Sequence, residues 1–134
     1  MNAPAALDEK VRDGALPRLR PVAAVGTLPD WLRQRLGRPK LDPKNPDEVV
    51  FAWTDLNGDG KAQPEEVRTG KITLDGKPWD RVGCTWQFRM NEKFECAASD
   101  GQYGVAGLAF FRVERLTPQG YPVYTLPTEF KLIP

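Results

Sequence analysis

The chain has 134 residues and a net charge of +1, with 40% hydrophobic and 28% charged residues, which is typical of one globular domain. It contains no histidine, and its only serine is Ser99. Ser-His-Asp or Cys-His catalysis and histidine-based zinc sites are therefore excluded, because each needs an imidazole. The small net charge gives no field that attracts nucleic acid, and no apolar run is long enough for a membrane span.

Two regions differ in charge. Residues 1–45 carry nine Lys/Arg and five Asp/Glu, whereas residues 46–134 carry ten and thirteen. Prolines in the segment 16–21 disfavour helix and favour an extended chain. We therefore interpret residues 1–45 as an extended basic arm with one short helix, and residues 46–134 as the folded domain. The arm is either a docking segment for a protein partner or a linker that lies on the domain.

The short helix is predicted to begin near Thr27, whose hydroxyl can cap it, and to end at Gly37. Trp31, Leu32 and Leu36 would share one side of this helix. Its basic residues would form a solvated face, because the aromatic residues that accompany nucleic-acid binding are missing apart from Trp31. These basic residues are Arg33, Arg35, Arg38 and Lys40.

The apolar run 49–53 is short and rich in β-branched and aromatic residues, so it predicts a strand. It leads into the twelve-residue segment 55–66, which has side-chain oxygens at positions one, three, five, nine and twelve and Gly60 at position six. This is the pattern of an EF-hand Ca²⁺ loop, in which position seven offers its backbone carbonyl. The predicted metal ligands are Asp55, Asn57, Asp59, the carbonyl of Lys61, Gln63 and Glu66.

Two residues depart from the pattern of helical EF-hands. Thr54 precedes position one, where a large apolar residue is usual, and Ala62 occupies position eight, where Ile, Val or Leu usually pairs with a second loop. The sequence contains no second loop of this kind, so paired helical hands are not predicted. The competing interpretation is a polar turn, because Asn-Gly and Asp-Gly dipeptides form turns without a metal.

Beyond the loop, the sequence predicts mainly β structure. A short helix starts at Pro64 and covers residues 64–69. Residues 72–74 form a strand, Asp75 and Gly76 form a two-residue hairpin turn, and Pro78 keeps the returning strand short or at an edge. The alternating residues 82–90, 94–98, 107–116 and 121–126 predict an antiparallel meander of about four strands, with a turn at residues 117–120.

Both cysteines lie on the first hairpin of this meander. A three-residue turn at residues 91–93 places Met90 opposite Phe94 and Phe88 opposite Cys96, with the apolar side chains on one face. In this register Cys84 lies four residues, or about 13 Å, from the position opposite Cys96, which is beyond the ~7 Å limit for a disulfide. We therefore predict two buried free thiols.

Two stretches resemble a known class of protein. The segments 51–60 and 63–67 resemble the strand-flanked, EF-hand-type calcium loops of bacterial secreted dockerin-type and β-propeller proteins, and the meander ending in residues 120–124 resembles one propeller blade. The resemblance implies a structural Ca²⁺ ion, bound by the six ligand positions above, in a secreted or periplasmic protein. A propeller needs about four blades and a dockerin needs two loops. The chain would therefore be a fragment of a larger protein or would bury its sheet differently, for instance against the N-terminal arm.

Three functions compete on this basis. The favoured one is a non-catalytic Ca²⁺-binding structural or interaction module, in which the ion staples a strand to a short helix. The second is a β module that binds carbohydrate or another small ligand, because four aromatic residues near turns can stack on sugar rings. The third is a hydrolase, which is disfavoured because no two of its candidate carboxylates form a recognisable pair. The aromatic candidates are Trp79, Tyr103, Tyr121 and Tyr124, and the carboxylate candidates are Asp75, Asp80, Asp100 and Glu114.

Overall fold

The computed structural model describes residues 21–82, 89–99 and 107–132. These residues form eleven short strands, one α-helix and one 3₁₀ turn, so the predicted mainly-β class is confirmed. Residues 1–20 of the predicted arm lie outside the described residues, as do Cys84, Phe88, Asp100 and Tyr103. No helix among the described residues is long and apolar enough to cross a membrane.

The first sheet contains three antiparallel strands in chain order, β1 (Ala23–Thr27), β2 (Val50–Thr54) and β3 (Val67–Gly70). Its central strand β2 is the strand predicted before the twelve-residue candidate metal site, residues 55–66, which is called the metal loop below. β1 pairs with β2 along its whole length, from Ala23 opposite Thr54 to Thr27 opposite Val50. Part of the predicted arm is thus an edge strand of the same sheet that leads into the loop.

The helix α1 (Asp30–Arg35) lies between β1 and β2 in the chain and follows Pro29. The prediction that Thr27 caps it is wrong, because the Thr27 hydroxyl bonds to the backbone of Val82, donating to its carbonyl at 2.8 Å and accepting from its amide at 2.9 Å. Gly37 follows the helix with a φ of +70°, as expected for a residue that ends a helix.

The predicted faces of α1 are wrong at two residues. Trp31 is 61% exposed, whereas Leu32 is buried. Arg33 is 4% exposed, and its guanidinium donates to the carbonyl oxygens of Pro39, Asp47 and Glu48. These carbonyls belong to residues outside any helix or strand, and a guanidinium has enough donors to satisfy several of them at once.

The helix predicted at residues 64–69 is shorter than expected. A 3₁₀ turn covers Pro64–Glu66, with the proline at its first position, and the chain then becomes β3. Trp53 lies opposite Val67 in the pairing of β2 with β3. Pairing with an existing strand satisfies the backbone groups of residues 67–70 and overrides their local helical signal.

The second sheet has six strands, and its spatial order is β5 (Lys77–Trp79), β4 (Ile72–Leu74), β11 (Glu129–Leu132), β8 (Gly107–Phe111), β7 (Cys96–Ser99) and β6 (Arg89–Met90). The hairpin β4–β5 is as predicted, with positive φ at Asp75 and Gly76 and with Pro78 in an edge strand. β11 pairs in parallel with β4 and antiparallel with β8. This late strand therefore joins two parts of the sheet.

The predicted third strand, residues 107–116, divides at Arg112. Its first part is β8, and its second part, β9 (Val113–Leu116), pairs with β10 (Pro122–Tyr124) in a separate two-stranded sheet. The turn between β9 and β10 is as predicted, with the Gly120 amide donating to the Thr117 carbonyl at 2.8 Å. Of the strands in the predicted four-stranded meander, those described as β6, β7 and β8 follow one another within one sheet, whereas β9 and β10 do not belong to it.

The predicted register of the β6–β7 hairpin is wrong by two residues, because Met90 lies opposite Cys96 and not opposite Phe94. Asn91 builds a longer turn, in which its side-chain oxygen accepts from the amides of Lys93 and Glu95, both at 2.9 Å. A shift of two residues keeps each side chain on its original face. Cys96 is accordingly buried and free, as predicted.

The two larger sheets share one hydrophobic core. Val50 and Ala52 of β2 contribute from the first sheet, and Ile72 of β4 and Phe111 of β8 contribute from the second. Tyr124 of β10 closes the same cluster. The metal loop begins where β2 leaves this core.

Candidate metal centre

The loop is anchored at its first residue. Asp55 is 1% exposed, and its backbone amide donates to the Val22 carbonyl at 2.8 Å. The preceding Thr54 hydroxyl donates to the Pro122 carbonyl at 2.7 Å. These two bonds connect the start of the loop to the beginnings of β1 and β10, so the first predicted ligand has a fixed position.

The Asp55 carboxylate organises the turn that follows. Its two oxygens accept from the amides of Gly58 and Gly60, each at 2.9 Å. Both glycines have positive φ, +78° and +73° respectively, a conformation that strains residues with a Cβ. Glycine at the sixth position of the pattern thus does what the sequence predicts, since it lets the backbone curl around the first carboxylate.

Asn57 and Asp59 continue the curl with side-chain bonds to nearby amides. The Asn57 oxygen accepts from the Asp59 amide at 3.1 Å, and Asp59 accepts from the Lys61 amide at 2.8 Å. The bond from the Lys61 amide is the main cause that lowers the pKa of the exposed Asp59 carboxyl. Asp59 is therefore charged at neutral pH. Its second oxygen accepts from the side-chain nitrogen of Gln63.

Glu66 returns to the loop because the 3₁₀ turn brings the twelfth position back beside the first. One of its oxygens accepts from the amides of Leu56 and Asn57, at 2.6 and 3.2 Å. The other accepts from the Gln63 amide at 3.2 Å and from the Trp53 indole nitrogen at 3.4 Å. Glu66 is only 6% exposed. It therefore closes the loop by hydrogen bonds in addition to any role toward a metal.

Three carboxylates converge at this point. Asp55, Asp59 and Glu66 each offer an oxygen, and these oxygens all lie within 4.8 Å of one another. Oxygens bound to one Ca²⁺ ion at 2.3–2.6 Å can be at most about 5 Å apart, so the spacing fits a common calcium ion. Three nearby negative charges also repel one another, and a divalent cation between them removes that cost.

Gln63 adds a further oxygen of the kind a hard cation prefers. Its side-chain oxygen is buried and has no hydrogen-bond partner among the residues that the structure describes, while its side-chain nitrogen bonds to Asp59. A buried acceptor without a partner costs free energy. Rotating the Gln63 side-chain amide by half a turn would place its oxygen, in place of its nitrogen, beside the Asp59 carboxylate. Two acceptors so close together repel each other unless a cation lies between them. The donor set thus fits Ca²⁺ better than a softer metal.

Of the six predicted ligands, the structure brings the carboxylates of Asp55, Asp59 and Glu66 together. The complete set, with Asn57, the Lys61 carbonyl and Gln63, stays a prediction. Trp53, whose indole nitrogen donates to Glu66, was not among the predicted site residues. Thr54 was predicted only to depart from the usual pattern, and its bond to Pro122 was not predicted. A polar residue where an apolar one is expected was the available signal for the Thr54 contact with Pro122.

The other candidate residues do not form a second centre within the described part of the chain. Tyr124 is buried and its hydroxyl donates to the Phe94 carbonyl at 2.6 Å, so its ring cannot stack on a sugar. Trp79 and Tyr121 are half-buried. Glu114 pairs with Arg68 at 3.0 Å, and this hydrogen bond lowers the pKa of Glu114.

Comparison of the chain with protein-family models, with curated proteins and with solved structures gave no match.

Proposed function

We propose that this chain is a non-catalytic Ca²⁺-binding module that serves a structural or interaction role in an extracytoplasmic bacterial protein. The observation that carries the proposal is the convergence of one oxygen each from Asp55, Asp59 and Glu66 within 4.8 Å. The order of these residues in a twelve-residue EF-hand pattern supports calcium over other hard cations. Asn57, the Lys61 carbonyl and Gln63 would complete the shell.

The bound ion would act on stability through the elements that meet at the loop. Asp55 follows β2 directly, and Glu66 ends the 3₁₀ turn that leads into β3. Neutralising their charges would therefore join a strand to the short helical turn after it. Because Asp55 also bonds to Val22, the same point holds the start of β1. Cation binding to the folded state alone stabilises that state by mass action.

A secreted or periplasmic location follows from the expected affinity. Three carboxylates and an unpaired loop are typical of extracellular calcium modules, whose dissociation constants are about 10⁻⁴–10⁻³ M. A site of that affinity fills only where free Ca²⁺ is abundant.

The test compares thermal unfolding in Ca²⁺, in Mg²⁺ and in chelator for the wild type and for Asp59→Asn. Asn keeps an oxygen that accepts from the Lys61 amide and removes one of the three negative charges. It also removes the second oxygen, which accepts from the Gln63 side chain, so the comparison is between Ca²⁺ and chelator within each variant. Ca²⁺ at ten times its dissociation constant should raise the wild-type Tm by about 5 °C. The increase should be at most half as large in Asp59→Asn. Glu66→Gln is less informative, because Glu66 also accepts four hydrogen bonds.

Glu65→Gln provides a matched control, since Glu65 is an exposed neighbour in the same loop region that occupies no ligand position. This variant should respond to Ca²⁺ like the wild type. Equal Tm values for the wild type in Ca²⁺ and in chelator would reject the proposal and leave the loop as a hydrogen-bonded turn.

A further inference from the structure

A shallow slot lies on the outer face of the six-stranded sheet, away from the metal loop. Along the strands, side chains alternate between the core and this outer face. Cys96, Ala98 and Phe111 point inward and are buried. Arg89, Ala97 and Phe110 lie opposite one another on three adjacent strands and therefore share the outer face.

The size of Ala97 explains the slot. The methyl group of Ala97 stands in register between two long side chains, Arg89 on β6 and Phe110 on β8. The resulting cavity has a volume of about 310 Å³, which is at the lower end of the range for small-molecule sites. Met90 also lines the cavity. The floor and one wall are therefore apolar.

Two arginines line the slot. Arg89 and Arg112 line it together with a single acid, Glu95. Arg112 lies 3.7 Å from Glu95 and is 63% exposed in its side chain, so this ion pair is weak. The same guanidinium carbon lies 5.4 Å from the centre of the Phe110 ring. Arg112 thus retains donors for a further acceptor beside a flat aromatic surface.

From these features we infer that the slot binds a small planar aromatic carboxylate. The aromatic body would lie over Ala97 beside Phe110, and its carboxylate would accept hydrogen bonds from the Arg112 guanidinium. Planar groups stack on arginine and on phenylalanine, whereas the guanidinium fork favours a carboxylate. This inference does not depend on the calcium proposal, since none of its residues belongs to the metal loop.

The test is an NMR titration of the full chain with 2-naphthoate, following the backbone amides of Ala97 and Phe110. Saturable shifts with a dissociation constant of ~1 mM are expected, as for a small ligand in a shallow site. Ala97→Leu fills the slot and should weaken binding at least about tenfold. Arg112→Gln removes the cation and should weaken binding by about the same factor.

Lys131→Gln is the matched control, because Lys131 and Phe110 border a neighbouring hollow but Lys131 does not line the slot. It should bind 2-naphthoate as the wild type does. Since Ala97→Leu could also disturb folding, Ala97→Val and the unperturbed spectrum of Arg112→Gln provide independent checks. The inference is overturned if 2-naphthoate gives no saturable shifts, or if 2-naphthamide, which has no charge, binds equally well. Unchanged binding in Ala97→Leu would also overturn it.

Discussion

The Thr54 hydroxyl donates to the Pro122 carbonyl at 2.7 Å, although 68 residues separate them in the chain. The bond is buried and joins the end of β2 to the start of β10. β10 pairs with β9 along one edge, and the Pro122 carbonyl accepts from a side-chain donor of another sheet. One hydroxyl thus connects the base of the metal loop to a separate β hairpin.

Replacing Thr54 by Val keeps the shape of the side chain and removes the donor. The Pro122 carbonyl would then be buried without its partner, so we expect the free energy of unfolding to fall by roughly 1–3 kcal/mol. Urea denaturation measures the change. Thr125→Val serves as the control, because Thr125 is exposed and bonds to the Arg112 carbonyl at the longer distance of 3.2 Å. A loss as large in the control as in Thr54→Val would contradict the assigned role.

Arg33 is expected to be the most costly basic residue to replace within α1. Its buried guanidinium serves three carbonyl oxygens, and Arg33→Met leaves these without a donor. We expect a loss of about 2–4 kcal/mol in the free energy of unfolding. Arg35→Met, at an exposed position of the same helix, should change it by about 0.5 kcal/mol or less. Similar effects of both substitutions would show that the linker carbonyls find other donors.

Alkaline pH should destabilise the fold through two buried groups. Burial is the main cause that raises the pKa of the Cys96 thiol and of the Tyr124 hydroxyl. Both groups hold their protons more tightly in the folded state, while the unfolded chain releases them at about pH 8.5 and about pH 10. Their contribution is therefore complete below about pH 8.5 and is lost as the pH rises.

The measurement is the urea concentration at which half of the protein is unfolded, determined at several pH values from about pH 7 to about pH 10.5. It should fall more steeply in the wild type than in the double variant Cys96→Ala/Tyr124→Phe, although the double variant is less stable at neutral pH. Parallel curves for the two proteins would mean that other groups cause the alkaline loss. Slow reaction of the Cys96 thiol with a thiol reagent in the folded state provides a second readout.

Protein stability should be sensitive to substitution of Gly76 in the β4–β5 turn. Its φ is +74°, and no atom lies within 4 Å of the position that a Cβ would take. Gly76→Ala should therefore cost about 1–2 kcal/mol through backbone strain alone. Asp75 has a φ of +51°, and Asp75→Gly should cost less because glycine accepts that conformation. Thermal unfolding of the two variants distinguishes them, and an equal or larger loss in Asp75→Gly would disagree with this account.

Local chemistry explains which parts of the fold could be predicted from the sequence. The turn at Asp75 and Gly76, the strand before the loop and the curl at Gly60 each depend on neighbouring residues. The register of the β6–β7 hairpin did not follow from the pattern, because a shift of two residues leaves every side chain on the same face. The burial of Arg33 could not be predicted either, because its partners are backbone carbonyls and the pattern of side chains gives no information about them. For the candidate site, the spacing identified three converging carboxylates but not the contacts of Trp53 and Thr54.

The position of β11 between β4 and β8 has a consequence for synthesis on the ribosome. The segment 129–132 is translated after every other described strand, yet it occupies an interior place in the six-stranded sheet. Until then, the facing edges of β4 and β8 have backbone groups without their strand partner. The sheet can therefore close only after residue 132 has left the exit tunnel.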